Sequence, residues 1–249
     1  MKLPKGWART TVDELTKPES PVCYGVLKPG EPNPGGVRMV RVTDIRRNIL
    51  DQSELITITD ALDQEFHRSR IQAGDVLVSV QGTVGRIAVV PQDLTNANIS
   101  RTIARIRLND EVSPYWLWRN LQAPQFQSAA DDVSAGTTRD SLNIGTLREL
   151  EIALPPAAEQ RRIAAKLDGL TARLARARAE LGRVARLGGP AAGFGLLDRL
   201  EAAILAKAFR GELVPQDSGD EPASVLLDRI RAQRAATPAK PRKRSAKAT

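Results

Sequence analysis

Apolar and polar residues alternate in short runs over the first 150 positions, and then the period changes. The run VRMVRVTDI at residues 37–45 alternates with period two, as a half-buried strand does. GDVLVSV (74–80) and GRIAVV (85–90) are short β-rich runs on either side of the turn-like QGTVG, and ISRTIARIRL (99–108) closes on alternating Ile and Arg. Residues 113–130, SPYWLWRNLQAPQFQSAA, predict helix, with Ser113 as N-cap, Pro114 at the first helical position and Pro124 dividing the segment. A polar loop, SAGTTRDSLN (134–143), precedes a last strand, ELEIAL (149–154). Strands mixed with helices, without regular strand–helix–strand alternation, predict an α+β domain.

At Pro155–Pro156 the pattern becomes helical. Proline holds the preceding Leu154 extended and tolerates a first helical turn, whose amides have no intrahelical partner. Glu159 falls in that turn, where a negative charge suits the helix dipole. The next apolar positions are Ile163, Leu167, Leu170, Leu174, Ala177, Leu181 and Val184. They are spaced alternately by four and three residues, the heptad seam of a helix that buries against another helix. A second copy would cover this seam, and so would residues 196–209 of the same chain. GGPAAG (188–193) breaks the helix. LLDRLEAAILAKAF (196–209) predicts a second one, stopped by Gly211 at its C-cap. A turn-rich connector then leads to a short helix opened by Pro222. The chain divides into residues 1–154, a mixed domain; 155–211, a helical spacer and dimerisation region; 212–234, connector and short helix; and 235–249, a disordered basic tail.

Charge narrows the picture only by its location. The net charge is +8, yet residues 1–154 hold 18 Lys/Arg against 19 Asp/Glu and residues 155–228 hold 11 against 10. The excess lies in residues 229–249, with 8 basic residues and no acid. That tail suits weak, nonspecific phosphate contact or simple solvation. One cysteine, Cys23, and one histidine, His67, exclude an internal disulfide and a His/Cys zinc cluster. No apolar run reaches the ~18–20 residues of a membrane span, and the N-terminus lacks a signal-peptide core, so the expected location is the cytoplasm. There is no phosphate-cradling GxxxxGK[ST], no Asp-x-Lys or Glu-x-Lys, no amino-methylating Asn/Asp-Pro-Pro-aromatic motif and no credible Ser–His–Asp set. The reading is a non-catalytic chain.

LPPAAEQRRIAAKLD at residues 154–168 resembles the junction between target-recognition domain and helical spacer in specificity subunits of type I restriction-modification systems. ILAKAFRGELVPQDSGDEPASVLLDRIRAQR is similar to the C-terminal region of those subunits. LPKGW, AGDVLVSVQGTVGRIAVV and GTTRDSLNIGTLRELEIALPP resemble landmarks of their recognition domain, in the same order. The resemblance implies a mixed α/β target-recognition domain followed by a long coiled-coil-forming spacer, and a subunit without catalytic activity. Such a subunit binds double-stranded DNA and selects the sequence that methyltransferase subunits methylate at adenine. A restriction/translocase subunit joins some of these complexes. S-adenosylmethionine, ATP and Mg belong to those partners, and this chain binds no cofactor or metal. Family members usually carry two recognition domains and two spacer helices; one of each stands here. Either the chain is a half-size subunit that forms a homodimer, or it is a fragment. An antiparallel homodimer would read two inverted half-sites, spaced by a helix of roughly 30 residues and ~45 Å. The alternative is a silent copy that dimerises or competes for partners without directing methylation.

Base reading needs donors and acceptors on loops. In QGTVGR these are Gln81, Thr83 and Arg86; in SAGTTRDSLN they are Thr137, Thr138, Arg139, Ser141 and Asn143. Asn98 and Arg101, in NANISR, form a third set. Arg41, Arg46 and Arg47 are surface charges or phosphate ligands. The dimerisation residues are Ile163, Leu167, Leu170, Leu174, Leu181 and Val184.

Overall fold

The computed structural model describes residues 3–124, 126–128, 130, 142–186 and 193–236. Its first and last strands close the mixed N-terminal domain. β1 (Ala8–Thr11) pairs antiparallel with β11 (Glu151–Leu154), Ala8 opposite Leu154 and Thr11 opposite Glu151. A four-stranded antiparallel sheet has the order β2 (Cys23–Tyr24), β10 (Ile103–Ile106), β7 (Val76–Ser79), β8 (Ile87–Val89). A smaller mixed sheet sets β3 (Val37–Val40) between β6 (Ile56–Ile58) and β9 (Asn98–Ile99), and β4 (Ile45–Arg46) and β5 (Ile49–Leu50) form a hairpin. The short helices of the domain include α1 (Val12–Leu15), α2 (Asp60–Glu65), α3 (Pro114–Leu121) and α4 (Ile144–Glu149). Ser113 caps α3, its hydroxyl accepting from the Trp116 amide, with Pro114 at the first position.

Both faces of the larger sheet are buried. Val76, Val78, Ala104 and Ile106 face one apolar cluster, while Leu77 and Ile103 face another. Strands covered on both sides carry continuous rather than alternating apolar runs. The Ile/Arg alternation of β10 therefore does not divide core from solvent. Arg105 is buried, donating to Ser20 Oγ at 2.6 Å and the Pro21 carbonyl at 3.1 Å. Arg107, just beyond the strand, grips both oxygens of buried Asp75 at 2.8 and 2.7 Å.

Three longer helices complete the chain: α5 (Ala157–Arg186), α6 (Gly193–Phe209) and α7 (Ala223–Ala236). They do not stand apart from the domain. Ile163 and Leu167 of α5, Leu205, Ala208 and Phe209 of α6, and Leu226, Leu227 and Ile230 of α7 enter the same core as Trp7, Val76 and Trp116. Trp116 is its centrepiece, packed edge-on against Trp7 at 6.0 Å and Phe209 at 4.9 Å. Gly211 ends α6 with φ +73°, and the Glu212 amide closes back on the Lys207 carbonyl.

The double-proline junction is buried as well. Gln160 donates from its side chain to the Pro155 carbonyl at 3.0 Å. Glu159 is 1% exposed and accepts the Trp7 indole N–H at 3.0 Å. The sequence suggested a charge favoured by the helix dipole. Burial instead pushes the carboxyl above its ordinary range, and the Trp7 bond and the Arg162 charge only partly oppose this.

The heptad seam divides into two parts. Ile163 and Leu167 have no exposed surface and Leu174 has 6%, so these three are spent inside the chain. Leu170 and Leu181 are half-buried and Val184 is 37% exposed. Helix α6 runs back along α5: Leu181 lies beside Gly193, where a Cβ would stand 2.9 Å from its Cδ1, and Arg178 reaches Asp198 at 2.6 Å and Glu201 at 2.8 Å. The pairing with residues 196–209 that the sequence left open is formed within the chain. Its outer face carries Leu196 (67% exposed) and Leu200 (47%), one helical turn apart.

Candidate nucleic-acid interface

Three loops of the mixed domain meet at one end of the larger sheet. The first is the turn between β7 and β8. Ser79 holds it from both sides, its hydroxyl donating to the Thr83 carbonyl at 2.5 Å and accepting the Arg86 amide at 2.8 Å. Gly82 and Gly85 take φ of +76° and +84°, the left-handed region that glycine enters without steric cost. Gln127 braces the turn, donating to the Gly85 carbonyl at 3.2 Å and the Leu121 carbonyl at 2.7 Å.

The second loop joins β9 to β10. It is tied to the first where the Val80 amide donates to the Thr102 carbonyl at 2.9 Å and Arg101 Nη2 donates to Gln81 Oε1 at 3.2 Å. The third segment arrives at Leu142, whose amide donates to the Val80 carbonyl at 2.8 Å. Asn143 then caps α4, its side-chain oxygen accepting the Thr146 amide at 2.9 Å. Next to it, the Ile144 amide donates to the Tyr24 hydroxyl at 2.9 Å.

The fold therefore brings Gln81, Thr83, Arg101 and Asn143 to one cluster of loops, with Thr83, Arg101 and Asn143 exposed and Gln81 half-buried. A paired guanidinium and carboxamide presents donors and an acceptor side by side, the groups that read guanine and adenine edges. Thr137, Thr138, Arg139 and Ser141 lie outside the described residues. Two other candidates serve the interior. Asn98 is fully buried, donating to Asp63 Oδ1 at 2.9 Å and accepting from Ser69 Oγ at 2.7 Å. The Arg86 guanidinium holds the β4–β5 hairpin through the Val42 and Ile45 carbonyls, both at 3.2 Å. Asn98 is thus closed to a base, and Arg86 acts as a brace.

Of the surface arginines, Arg41 is paired with Asp44 at 2.8 Å and Arg46 with Asp51 at 3.3 Å, which leaves less charge for phosphates. Arg47 and Asn48 form the tip of the hairpin, with φ of 51° and 60°. Sequence reasoning missed Tyr24, 41% exposed beside the cluster. It sits on a two-residue strand with no periodicity to detect, and only the fold places it next to Ile144.

Residues 30–181 match the family model described as the type I restriction modification DNA specificity domain. This chain belongs to that family. It is 31% identical over 244 residues to the EcoBI specificity subunit of Escherichia coli, covering 94% of this chain and 49% of that protein. The EcoKI specificity subunit of E. coli strain K12 is 25% identical, over 83% of this chain and 46% of the relative. Among solved structures, a chain of a type I R-M system studied for complex assembly and conformational transition superposes with a TM-score of 0.53 at 26% identity, covering 86% of this chain and 48% of the other. The HsdS subunit from Thermoanaerobacter tengcongensis superposes with a TM-score of 0.51 at 25% identity, over 86% and 47%. The chain spans about half the length of the curated relatives it matches. Among the described residues, no helix of this specificity-family chain is long and apolar enough to cross a membrane.

Proposed function

We propose that this chain is a DNA-sequence-selecting subunit that directs adenine methylation by type I methyltransferase partners and, where a translocase subunit joins, restriction. The observation that carries this reading is the Gln81–Arg101 pair at the meeting of the recognition loops, in a specificity-family chain. The chain itself is non-catalytic. S-adenosylmethionine, ATP and Mg are held by the partner subunits.

Two copies act together. The apolar row Leu196–Leu200 with Val184 near the far end of the α5–α6 hairpin supports this. A second copy covers that row and presents a second recognition domain. By symmetry the pair reads two inverted half-sites.

The test is long-read methylation sequencing of cells expressing the chain with its methyltransferase partner, against cells lacking the chain. A split, palindromic adenine-methylation motif that depends on the chain is expected. In Arg101→Ala that motif is relaxed or lost at one position of each half, because a good base contact discriminates by ~1–3 kcal/mol. An asymmetric motif overturns the homodimer. No motif despite a confirmed partner complex overturns the specificity role in favour of a silent, dimerising copy.

A further inference from the structure

Beyond the apolar core, α5 is tied to α3 by a polar cluster centred on one arginine. The Arg119 side chain is 8% exposed. Its guanidinium packs against two neighbouring rings, 5.0 Å from the Tyr115 centroid and 4.4 Å from that of Trp118, which are themselves 5.1 Å apart. Nε donates to the Tyr115 hydroxyl at 2.7 Å, and Nη2 donates to Thr171 Oγ1 at 3.1 Å and Asp168 Oδ1 at 3.4 Å. Nη1 donates to Gln122 Oε1 at 3.4 Å. The Tyr115 hydroxyl donates in turn to Asp168 Oδ1. Thr171 passes its own proton back to the Leu167 carbonyl at 2.7 Å, so it is free to accept from Arg119. Every group in this chain of bonds has a defined donor or acceptor role. Burial, with the Asp168 bond, pushes the Tyr115 hydroxyl up to about 12, which keeps it a donor.

Position gives the contact its leverage. Leu167 is the last α5 residue in the domain core, and Asp168 and Thr171 occupy the next turn. From Asp168 to Arg186 the helix runs on for roughly 27 Å at ~1.5 Å per residue. About 10° of slack at the root would swing its far end by roughly 5 Å, more than the ~3.4 Å between stacked base pairs. A planar guanidinium fixed by two rings and four oxygens restrains angle as well as distance, which a flexible ammonium does not.

We propose that Arg119 is a positioning residue for DNA recognition: by locking α5 to α3 it fixes the direction of the spacer, and so the gap between half-sites that the assembly accepts. This rests on the split-site reading. The test uses the full chain with its methyltransferase partner and duplexes carrying the identified motif, the gap shortened or lengthened by one to three base pairs. Wild type is expected to methylate one gap best. In Arg119→Lys, Tyr115→Phe and Thr171→Val the preference over neighbouring gaps falls about tenfold, while rate at the optimum changes by less than about threefold. Ile58→Val, buried in the smaller sheet, is the control for lost stability and leaves the gap profile unmoved. Tyr115→Phe and Thr171→Val each remove one hydroxyl group, so they report even if Arg119→Lys folds poorly. Variants that keep the wild-type gap profile overturn the latch alone. A wild-type profile without an optimum overturns the split-site reading and the latch with it.

Discussion

At the scale of single residues, the buried polar groups carry more information than the exposed ones. Glu159 sits at the root of α5 with one oxygen on the Trp7 indole and the other without a partner. Arg162 and Asp220 are the charged groups acting on it, and they are themselves paired, at 2.5 Å. Because the folded state holds the Glu159 proton more tightly than the unfolded chain, it binds more protons between the two titrations. Stability from this group is therefore full below about pH 4.5 and is lost as the pH rises through the raised folded value. Glu159→Gln removes that dependence. Urea titrations across this range should show the variant losing less stability with rising pH than wild type, and parallel profiles would refute the assignment. Trp7→Phe, which deprives the carboxylate of its indole donor, should cost about 1–3 kcal/mol.

At the scale of elements, the heptad pattern was legible and its partner was not. The alternating steps of four and three specify a helix that buries against a helix. They do not specify whose helix, and the structure assigns the inner part of the seam to the chain's own core and to α6. The dimer face proposed above is therefore on the outer side, at Leu196 and Leu200. Replacing both with Glu should weaken self-association by at least about tenfold in analytical ultracentrifugation. Monomer stability should move by no more than ~0.5 kcal/mol per site, since neither side chain is in the core. Dimers of undiminished affinity would rule this face out. The loops divide in the same way: QGTVGR announces its positive-φ glycines by composition, but its closeness to Arg101 and Leu142 depends on strand order.

For the molecule as a whole, the three C-terminal helices complete the core of the mixed domain. Leu226, Leu227 and Ile230 of α7 are each at most 2% exposed, and burying such a side chain contributes about 1.5–3 kcal/mol. Arg234, near the end of α7, adds a bond to the Thr16 carbonyl at 2.7 Å. Removing residues 223–249 should therefore cost on the order of 5 kcal/mol, comparable with the total stability of a domain. Calorimetry should show a much lower melting temperature or no cooperative transition. A truncated chain that melts like the full one would show that α7 is an ornament to the core.

Several features of the fold follow from local chemistry alone. The proline pair set the strand-to-helix boundary, Ser113 and Pro114 started α3, Gly211 stopped α6, and the heptad spacing demanded a helical partner. These signals are legible because each depends on the backbone preferences or periodicity of a few neighbouring residues. Which face each pattern serves depends on the packing of distant segments. Asn98 and Arg86 carry the same base-reading groups as Gln81 and Arg101, yet the first two are committed to the interior and the second two meet at the loops. Arg105 reads as a surface residue until a second apolar layer covers its strand. Burial is set by what the rest of the chain places opposite a residue, and residues as far apart as Trp7 and Glu159 cannot announce their contact from within their own segments.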